Sequence, residues 1–156
     1  MNSEQTSLAA GTAASVRKVG AAIIPDSEGR ILIGRRAPHK PVPGYWEFPG
    51  GKLEEGENIP SCIRRELLEE LDLPVDPIVE IAVIEAVRAE HTNAPELHFW
   101  LCRPVDMREL PLRDHDAIRW VRPDELKDYE IVPGSRPMAE DLIAGRYELS
   151  RYTSAE

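Results

Sequence analysis

The segment from Ile59 to Leu71 constrains this chain most, because it combines a helical apolar pattern with three glutamates. Glu66, Glu69 and Glu70 are spaced i, i+3 and i+4, so on a helix they lie within a stripe about 100° wide. Apolar side chains occupy the same stripe and much of the remaining surface: Ile59, Cys62, Ile63, Leu67, Leu68 and Leu71. A helix that is apolar nearly all round is a buried element. The segment therefore predicts a helix whose acidic patch is partly buried.

Buried carboxylates need a partner, and a divalent cation is the natural partner for three of them. Gly50 and Gly51 precede the helix and permit a close approach of the backbone, so a glycine carbonyl can join the ligand set. Arg65 projects to the side of the stripe, where it can orient Glu66 through a bidentate pair. Two alternatives remain open at this point, namely a solvated acidic face for the glutamates and a weak surface ion pair for Arg65.

The rest of the chain has the pattern of one domain with several strands and two or three helices. A length of 156 residues fits one domain. Strands are predicted at 19–24, 30–36, 75–89, 97–103 and 117–122. The first two strands are predicted to form a hairpin around a turn at 25–29, and 37–51 to form a loop. Short helices are predicted at 123–127 and up to Ala144, the second with Ser135 as its N-cap and Gly145 as its end.

This mixed order of elements predicts an α/β or α+β layered fold. The first 18 residues are rich in Ser, Ala, Thr and Gly, and we expect them to form a flexible N-terminal tail. The folded domain is then expected at 19–146, followed by a C-terminal tail at 147–156.

Charge and cysteine content exclude several classes of protein. The chain has 28 acidic and 19 basic residues and a net charge of −9, which opposes binding to duplex nucleic acid. A divalent cation can still attract an anionic small substrate to a carboxylate-lined site. The two cysteines, Cys62 and Cys102, suit neither a disulfide framework nor a zinc site. No apolar run approaches the roughly 18 residues of a membrane span. We expect a cytoplasmic monomer or homodimer without a membrane partner.

The residues from the glycine pair to the end of the helix resemble the Nudix hydrolase signature. That signature is G, five residues, E, seven residues, then R-E-aliphatic-x-E-E-x-G-aliphatic. The matching positions are Gly51, Glu57, Arg65, Glu66, Leu67, Glu69, Glu70 and Leu73. Asp72 stands where the family has a glycine that ends the helix in a left-handed conformation. Aspartate tolerates that conformation better than most residues do, so we expect modest strain there and a preserved site.

The resemblance implies a fold, a metal and a set of site residues. The implied fold is a Nudix-type α/β/α sandwich with a mixed β-sheet between helices. The implied cofactor is Mg²⁺ or Mn²⁺. Its implied ligands are the carboxylates of Glu66, Glu69, Glu70 and Asp114 and the carbonyl of Gly50. Glu66, Glu70 and Arg65 are the implied catalytic residues, and Glu57 is implied to support the site. The sequence leaves open which carboxylate accepts the proton of the attacking water.

Further similarity, at 35–36 and 45–54, is to the MutT branch of the family, which cleaves nucleoside triphosphates to monophosphate and pyrophosphate. The resemblance implies that a nucleotide contacts Arg36, Glu47, Gly51 and Ser135. Ser135 aligns with an Asn or Asp that reads the base in relatives, and it has a shorter reach. Three aromatic residues are candidates either for a base pocket or for the core: Tyr45, Trp46 and Phe99.

On this basis 8-oxo-dGTP or dGTP is the first substrate hypothesis. Hydrolysis of CTP or dCTP, or of another nucleoside diphosphate linked to a further group, is the alternative. A nucleotide-binding module without catalysis is a third hypothesis, and the presence of all the signature glutamates argues against it.

Overall fold

The computed structural model describes residues 17–85 and 94–149, and seven strands form its framework. The strands are β1 (Lys18–Ile23), β2 (Ile31–Arg36), β3 (Trp46–Glu47), β4 (Gly50–Lys52), β5 (Val75–Glu85), β6 (Glu96–Pro104) and β7 (His115–Val121). They pair into two sheets. The first sheet has the order β4-β1-β6-β5 and is mixed, because β1 and β6 are parallel while the other pairs are antiparallel. The second sheet has the order β3-β2-β7 and is antiparallel.

The predicted hairpin of the first two long strands is wrong, because β1 and β2 belong to different sheets. The turn between them does form, and Asp26 accepts hydrogen bonds from the backbone of Glu28 and Arg30. After the turn the chain makes only an isolated bridge between Pro25 and Ile31. Each strand is apolar on both faces and lies between other strands of its own sheet, so neither needs the other as its partner.

The predicted loop at 37–51 contains two short strands, β3 and most of β4. β4 pairs with β1 in a register that places Gly51 opposite Gly20 and Gly50 opposite Ala21. This pairing fixes the glycine pair on the edge strand of the first sheet, beside β1 and shortly before the helix.

The helix α1 (Ile59–Leu71) has the predicted bounds. It begins where the side chain of Asn58 accepts a hydrogen bond from the Ser61 backbone N–H at 2.9 Å, as an N-cap does. It ends at Asp72, which has the left-handed angles φ 55° and ψ 34° and donates its N–H to carbonyls of the last turn. The aspartate therefore takes the conformation for which the family uses glycine.

The C-terminal part of the described chain holds two 3₁₀ turns and a second helix. The turns are Pro123–Asp128 and Pro133–Ser135, and the helix α2 is Arg136–Ile143. Ser135 occupies the predicted N-cap position of α2, although its side chain makes no capping hydrogen bond. Gly145, with φ +75°, follows the helix as predicted.

The strand β1 separates two apolar cores, which explains the sandwich. Its residues alternate, so that Ala21 and Ile23 face the core that contains α2, while Ala22 faces the core that contains α1. Ile24, directly after the strand, faces the same core as Ala22. Sheet strands thus lie between two helices, and the predicted α/β/α sandwich with a mixed sheet is confirmed.

The limits of the packed domain differ slightly from the sequence-based expectation. β1 begins at Lys18, the last residue of the expected N-terminal tail, while residues 1–16 lie outside the described ranges. Leu149, expected in the C-terminal tail, is buried in the core with α2. The last part of the strand predicted at 75–89 falls outside the described residues.

Cys62 and Cys102 are both free and buried. Within the described ranges no helix is long and apolar enough to cross a membrane.

Candidate active site

One cavity of about 870 Å³ collects most of the residues that the sequence singled out. Its walls come from β1, β4, α1, the loop before β3, the start of β7 and the turn before α2. The predicted site residues that line it are Arg36, Glu47, Gly50, Gly51, Glu66, Glu70, Asp114 and Ser135. Glu57, Arg65 and Glu69 are not among its lining residues, and they lie on the outer side of α1. Residues distant in sequence therefore meet at one concave surface, as a ligand site requires.

The arginine cluster, defined as Arg65, Glu57 and Glu69, is a compact set of ion pairs on the outer side of the helix. Arg65 donates hydrogen bonds from Nε to Glu57 Oε2 at 2.6 Å and from Nη2 to Glu57 Oε1 at 2.9 Å. It also donates Nη1 to Glu66 at 3.1 Å and to Glu69 at 3.2 Å. The predicted bidentate pair of Arg65 with Glu66 is therefore wrong, because Glu57 takes that geometry and Glu66 receives one hydrogen bond.

Strong pairing in the arginine cluster fixes the charges of its members. The hydrogen bond from Arg65 is the main cause that lowers the pKa of Glu57 from 4.5 to about 2, and a backbone hydrogen bond from Glu54 adds to it. The same hydrogen bond, which Glu57 accepts, is the main cause that raises the pKa of Arg65. The exposed side chain of Glu69 points to this cluster and not into the cavity.

The acidic wall, defined as Glu66, Glu70 and Asp114, lines the cavity on the inner side. Glu70 is 7% exposed, and its Oε1 atom has no hydrogen-bond partner among the described residues. Burial is the largest cause that raises the pKa of Glu70 from 4.5 to about 10. The hydrogen bond with Glu66, the negative charge of Glu66 and the charges of Glu47 and Asp114 raise it further. The acidic wall therefore contains one buried carboxyl group, that of Glu70, whose Oε1 has no partner among the described residues and which holds its proton at neutral pH.

The glycine pair is needed because other groups occupy the space where its side chains would be. A Cβ added at Gly51 would overlap the carboxylate of Glu66, and one added at Gly50 would overlap the carbonyl of Gly20. The carboxylate of Glu66 thus lies directly against the backbone of β4. Only glycine allows this contact between the strand and the acidic wall.

Asp114 is held at the mouth of the cavity by the loop that follows β2. Its carbonyl accepts a hydrogen bond from the Ala37 backbone N–H at 3.1 Å, and its carboxylate lies 3.7 Å from the Lys40 ammonium. Lys40 lines the same cavity. This pairing is not predictable from the sequence, because no local pattern places a loop lysine against a residue 74 positions further along.

Arg36 and Glu47 form an ion pair across the neighbouring strands β2 and β3. Arg36 Nη1 donates to Glu47 Oε1 at 2.6 Å. The other oxygen, Oε2, lies 2.9 Å from His115 Nε2, and the His115 side chain is 1% exposed. Sequence reasoning places His115 near the predicted site but assigns it no role there. Its position directly after Asp114, at the start of a strand, was the available signal.

The aromatic candidates divide between the cavity and the core. Tyr45 lines the cavity. Trp46 is buried in the core with α2, where its ring meets that of Tyr129 with centroids 5.0 Å apart. Phe99 is fully buried in the same core. Ser135 is buried and lines the cavity together with the turn that precedes it.

The family model described as NUDIX domain matches residues 15–142 of this chain. The chain belongs to the Nudix family. It is a Nudix hydrolase of MutT-like type, and the α/β/α sandwich and the mixed sheet described above are the architecture of that family.

Nudix relatives of this chain differ in the substrates that their names give. The CTP pyrophosphohydrolase of Escherichia coli is 33% identical over 129 residues, which cover 83% of this chain and 93% of the relative. A putative 8-oxo-dGTP diphosphatase of Mycobacterium tuberculosis is 34% identical over 116 residues, which cover 72% of this chain and 78% of the relative. The solution structure of the E. coli ORF135 protein has a TM-score of 0.66 and 30% identity, covering 84% of this chain and 91% of that one.

The donors in this Nudix site suit a hard divalent cation, although they do not form a ready cage. In residues 17–85 and 94–149, no three His, Cys, Asp or Glu side chains are grouped closely enough to hold a metal ion as they stand. The buried Oε1 of Glu70 is nevertheless an oxygen donor without a partner, and the rest of the acidic wall lies around it. Mg²⁺ binds through a few carboxylates together with substrate phosphates, so a partial ligand set fits it.

Proposed function

We propose that this Nudix hydrolase cleaves a nucleoside triphosphate to the monophosphate and pyrophosphate, with Mg²⁺ or Mn²⁺ as its cofactor. The observation that carries the proposal is the unpartnered, buried Glu70 Oε1 within the acidic wall, on the same cavity as Arg36. A carboxylate pocket by itself repels a triphosphate. It becomes a triphosphate site when a cation inverts its charge.

The proposed metal ligands are Glu66, Glu69, Glu70, Asp114 and the Gly50 carbonyl. A bound divalent ion would neutralise charge on the phosphates and lower the pKa of a water molecule. Glu66 and Glu70 line the cavity and support this role directly. Glu69 stands one turn from Glu66 on the outer side of α1, where Arg65 now holds it. Its part in the ligand set requires release of that hydrogen bond.

The proposed catalytic residues are Glu66 and Glu70, with Arg65 acting through Glu66. Hydrolysis of a phosphoanhydride needs a water aligned with the leaving group and a base within hydrogen-bond reach of its proton. Either inner carboxylate can accept this proton once its charge is restored. Arg65 orients Glu66 through one hydrogen bond, and Glu57 keeps Arg65 in place through two.

The nucleotide itself is proposed to contact Arg36, Glu47, Gly51 and Ser135. Arg36 is the cation suited to a phosphate or to the plane of a base. Glu47 offers acceptors, and Gly51 permits close approach of a phosphate to the backbone. Ser135 offers one hydroxyl from the buried end of the cavity.

Two base classes are candidates, each with its own support. The first hypothesis from the sequence, 8-oxo-dGTP or dGTP, is supported by the M. tuberculosis relative. CTP or dCTP is supported by the E. coli relative, which covers more of this chain. The short side chain of Ser135 weakens the support for an oxidised guanine, because one hydroxyl cannot replace the donor and acceptor of an Asn at the same reach.

A nucleotide panel with and without Mg²⁺ tests the proposal. Pyrophosphate and monophosphate release is measured from 8-oxo-dGTP, the ordinary ribo- and deoxyribonucleoside triphosphates and ADP-ribose. We expect one triphosphate to be preferred, with no turnover in EDTA. Release of phosphate from the terminal position, or preference for ADP-ribose, would contradict the proposed reaction. Tight nucleotide binding without turnover would instead support the non-catalytic binding module.

A further inference from the structure

His115 is a buried polar residue that the proposed reaction does not use. It is the first residue of β7, and its Cα pairs with that of Arg36 on β2, next to a bulge between Arg35 and Arg36. Its side chain is 1% exposed. Its Nε2 lies 2.9 Å from Glu47 Oε2, and its Nδ1 has no partner among the described residues.

These contacts define which nitrogen of the ring carries the proton. An ionised carboxylate only accepts hydrogen bonds, so the nitrogen that faces Glu47 must donate. His115 therefore donates from Nε2 to Glu47 Oε2, while Arg36 donates to Glu47 Oε1. The two oxygens of one carboxylate thus have separate donors, one from the buried side and one from the cavity side.

The chain reserves space for this ring. A Cβ added at Gly34 would lie 2.6 Å from His115 Cδ2 and 2.7 Å from its Cγ, closer than real side chains approach. Gly34 lies on β2 opposite Glu47 of β3, so the imidazole packs against the strand where the ion pair is formed. The orientation of the ring is fixed by packing as well as by its hydrogen bond.

We propose that His115 is a positioning residue for nucleotide binding. Its hydrogen bond from the buried side orients the Glu47 carboxylate, and this carboxylate in turn holds Arg36 at the cavity. This inference rests on the proposed function, in which Arg36 and Glu47 contact the nucleotide. Without the donor from His115, the Glu47 carboxylate loses one of its two fixed oxygens. The Arg36 guanidinium then depends more on its hydrogen bond from Nε to the Pro41 carbonyl, and its Nη1 is held less firmly. The consequence is weaker binding of the nucleotide, with little change in the chemical step.

The kinetic test compares two substitutions of His115 in the presence of Mg²⁺. His115→Leu removes the donor, whereas His115→Gln keeps an N–H group at a similar distance from the backbone. We expect KM to rise about tenfold in H115L with kcat changed less than threefold, and KM of H115Q to stay within about threefold of the wild type. His98→Leu is the matched control, because His98 also contacts two carboxylates but does not line the cavity. We expect it to leave KM and kcat unchanged.

Three outcomes would overturn the proposal. They are an unchanged KM in H115L, an equal rise in H115L and H115Q, and a fall in kcat alone. The equal rise would mean that the ring acts by packing and not as a donor. The fall in kcat would place the effect at the neighbouring Asp114.

Nitrogen NMR of the wild-type ring tests the same bond without turnover. We expect the tautomer of His115 that carries its ring proton on Nε2, with an Nε2 chemical shift that changes in Glu47→Gln. Protonation at Nδ1 would overturn the proposal even if H115L failed to fold. A wild type that cleaves no nucleoside triphosphate would contradict the proposed function, while this spectrum would still decide whether His115 holds Glu47.

Discussion

The arginine cluster and the acidic wall both adjoin the helix α1 and both contain carboxylates, yet the electrostatic surroundings of Glu57 and Glu70 are opposite. Glu57 has an arginine partner, and its pKa falls to about 2. Glu70 has none and is buried, and its pKa rises to about 10. The protein supplies the carboxylate of Glu57 with an arginine and leaves Glu70 Oε1 without a partner among the described residues, available to a ligand. Glutamates of one sequence signature therefore have two different roles, and the groups that contact their carboxylates determine which role each one has.

Removal of the Glu70 charge tests this comparison most severely. We expect Glu70→Gln to lower kcat/KM by roughly a thousandfold, because a catalytic metal contributes several kcal/mol that depend on its ligands. Steady-state turnover of the preferred triphosphate in Mg²⁺ measures this. Glu55→Gln, at an exposed glutamate outside the lining of the cavity, is the control and should keep wild-type activity. Near-normal turnover of E70Q would mean that the unpartnered carboxylate has no part in the reaction.

The stability of the metal-free protein should depend on pH through Glu70. Because the pKa of Glu70 is about 10 in the folded state and 4.5 ordinarily, the folded chain keeps a proton that the unfolded chain loses between these values. The stability that this proton contributes is present below pH 4.5 and is lost as the pH rises toward 10. The free energy of unfolding should therefore fall with rising pH, relative to E70Q, by at most about 1.4 kcal/mol per unit.

Urea unfolding in EDTA at pH 5, 6, 7 and 8 measures this difference. The comparison with E70Q removes the contributions of other groups, which both proteins share. Parallel pH profiles of the two proteins would show that Glu70 is ionised without a metal. A group outside the described residues would then have to compensate its negative charge.

The arginine cluster should respond less strongly to substitution. Arg65→Lys keeps the charge but cannot bond Glu57 twice and Glu66 as well. We expect kcat to fall about tenfold, since one charge-assisted hydrogen bond is worth about 1.5–3 kcal/mol. KM should change little because Arg65 does not line the cavity. The exposed neighbour Arg64 offers the matched control, and R64K should behave as the wild type. A rise in KM alone in R65K would contradict a role through Glu66.

Local sequence signals predicted the helix and its acidic residues well, for physical reasons. Asn58 and Pro60 define a helix start, and a spacing of three and four residues defines one side of a helix regardless of the remaining fold. These helix features depend on neighbours within about one or two turns of the chain. The glycine pair was predictable from residue type, because close approach excludes any other residue, although the groups that approach it, Gly20 and Glu66, are distant in sequence.

Features that depend on distant residues were not predictable. The turn at 25–29 suits a hairpin equally well as a crossing between two sheets, and only the partners of β1 and β2 decide between these outcomes. Arg65 has acidic residues on both sides in sequence, so its preference for Glu57 over Glu66 depends on where the preceding loop folds back. His115 and Lys40 reach the site through strand pairing and loop packing, for which no spacing rule exists.

The smallest expected effect concerns Asp72, the one departure from the family signature. It lies at the end of α1 with φ 55°, where a side chain costs roughly 1–2 kcal/mol and Asp less than most. Asp72→Gly removes this cost, so we expect it to raise the free energy of unfolding by about 0.5–1 kcal/mol. The gain is smaller than the cost itself because glycine loses more chain entropy on folding. Asp72→Ala should lower it.

Thermal unfolding measures both changes, and 1 kcal/mol corresponds to about 2–4 °C for a chain of this size. Turnover measured beside it decides whether the departure touches the site. Asp72 donates its N–H to the carbonyls of Leu67 and Leu68 and lies beyond both the arginine cluster and the acidic wall. Activity should therefore stay unchanged in D72G while stability rises. A gain in activity would mean that strain at the helix end displaces Glu69 or Glu70, and that the two sides of α1 are coupled through its last turn.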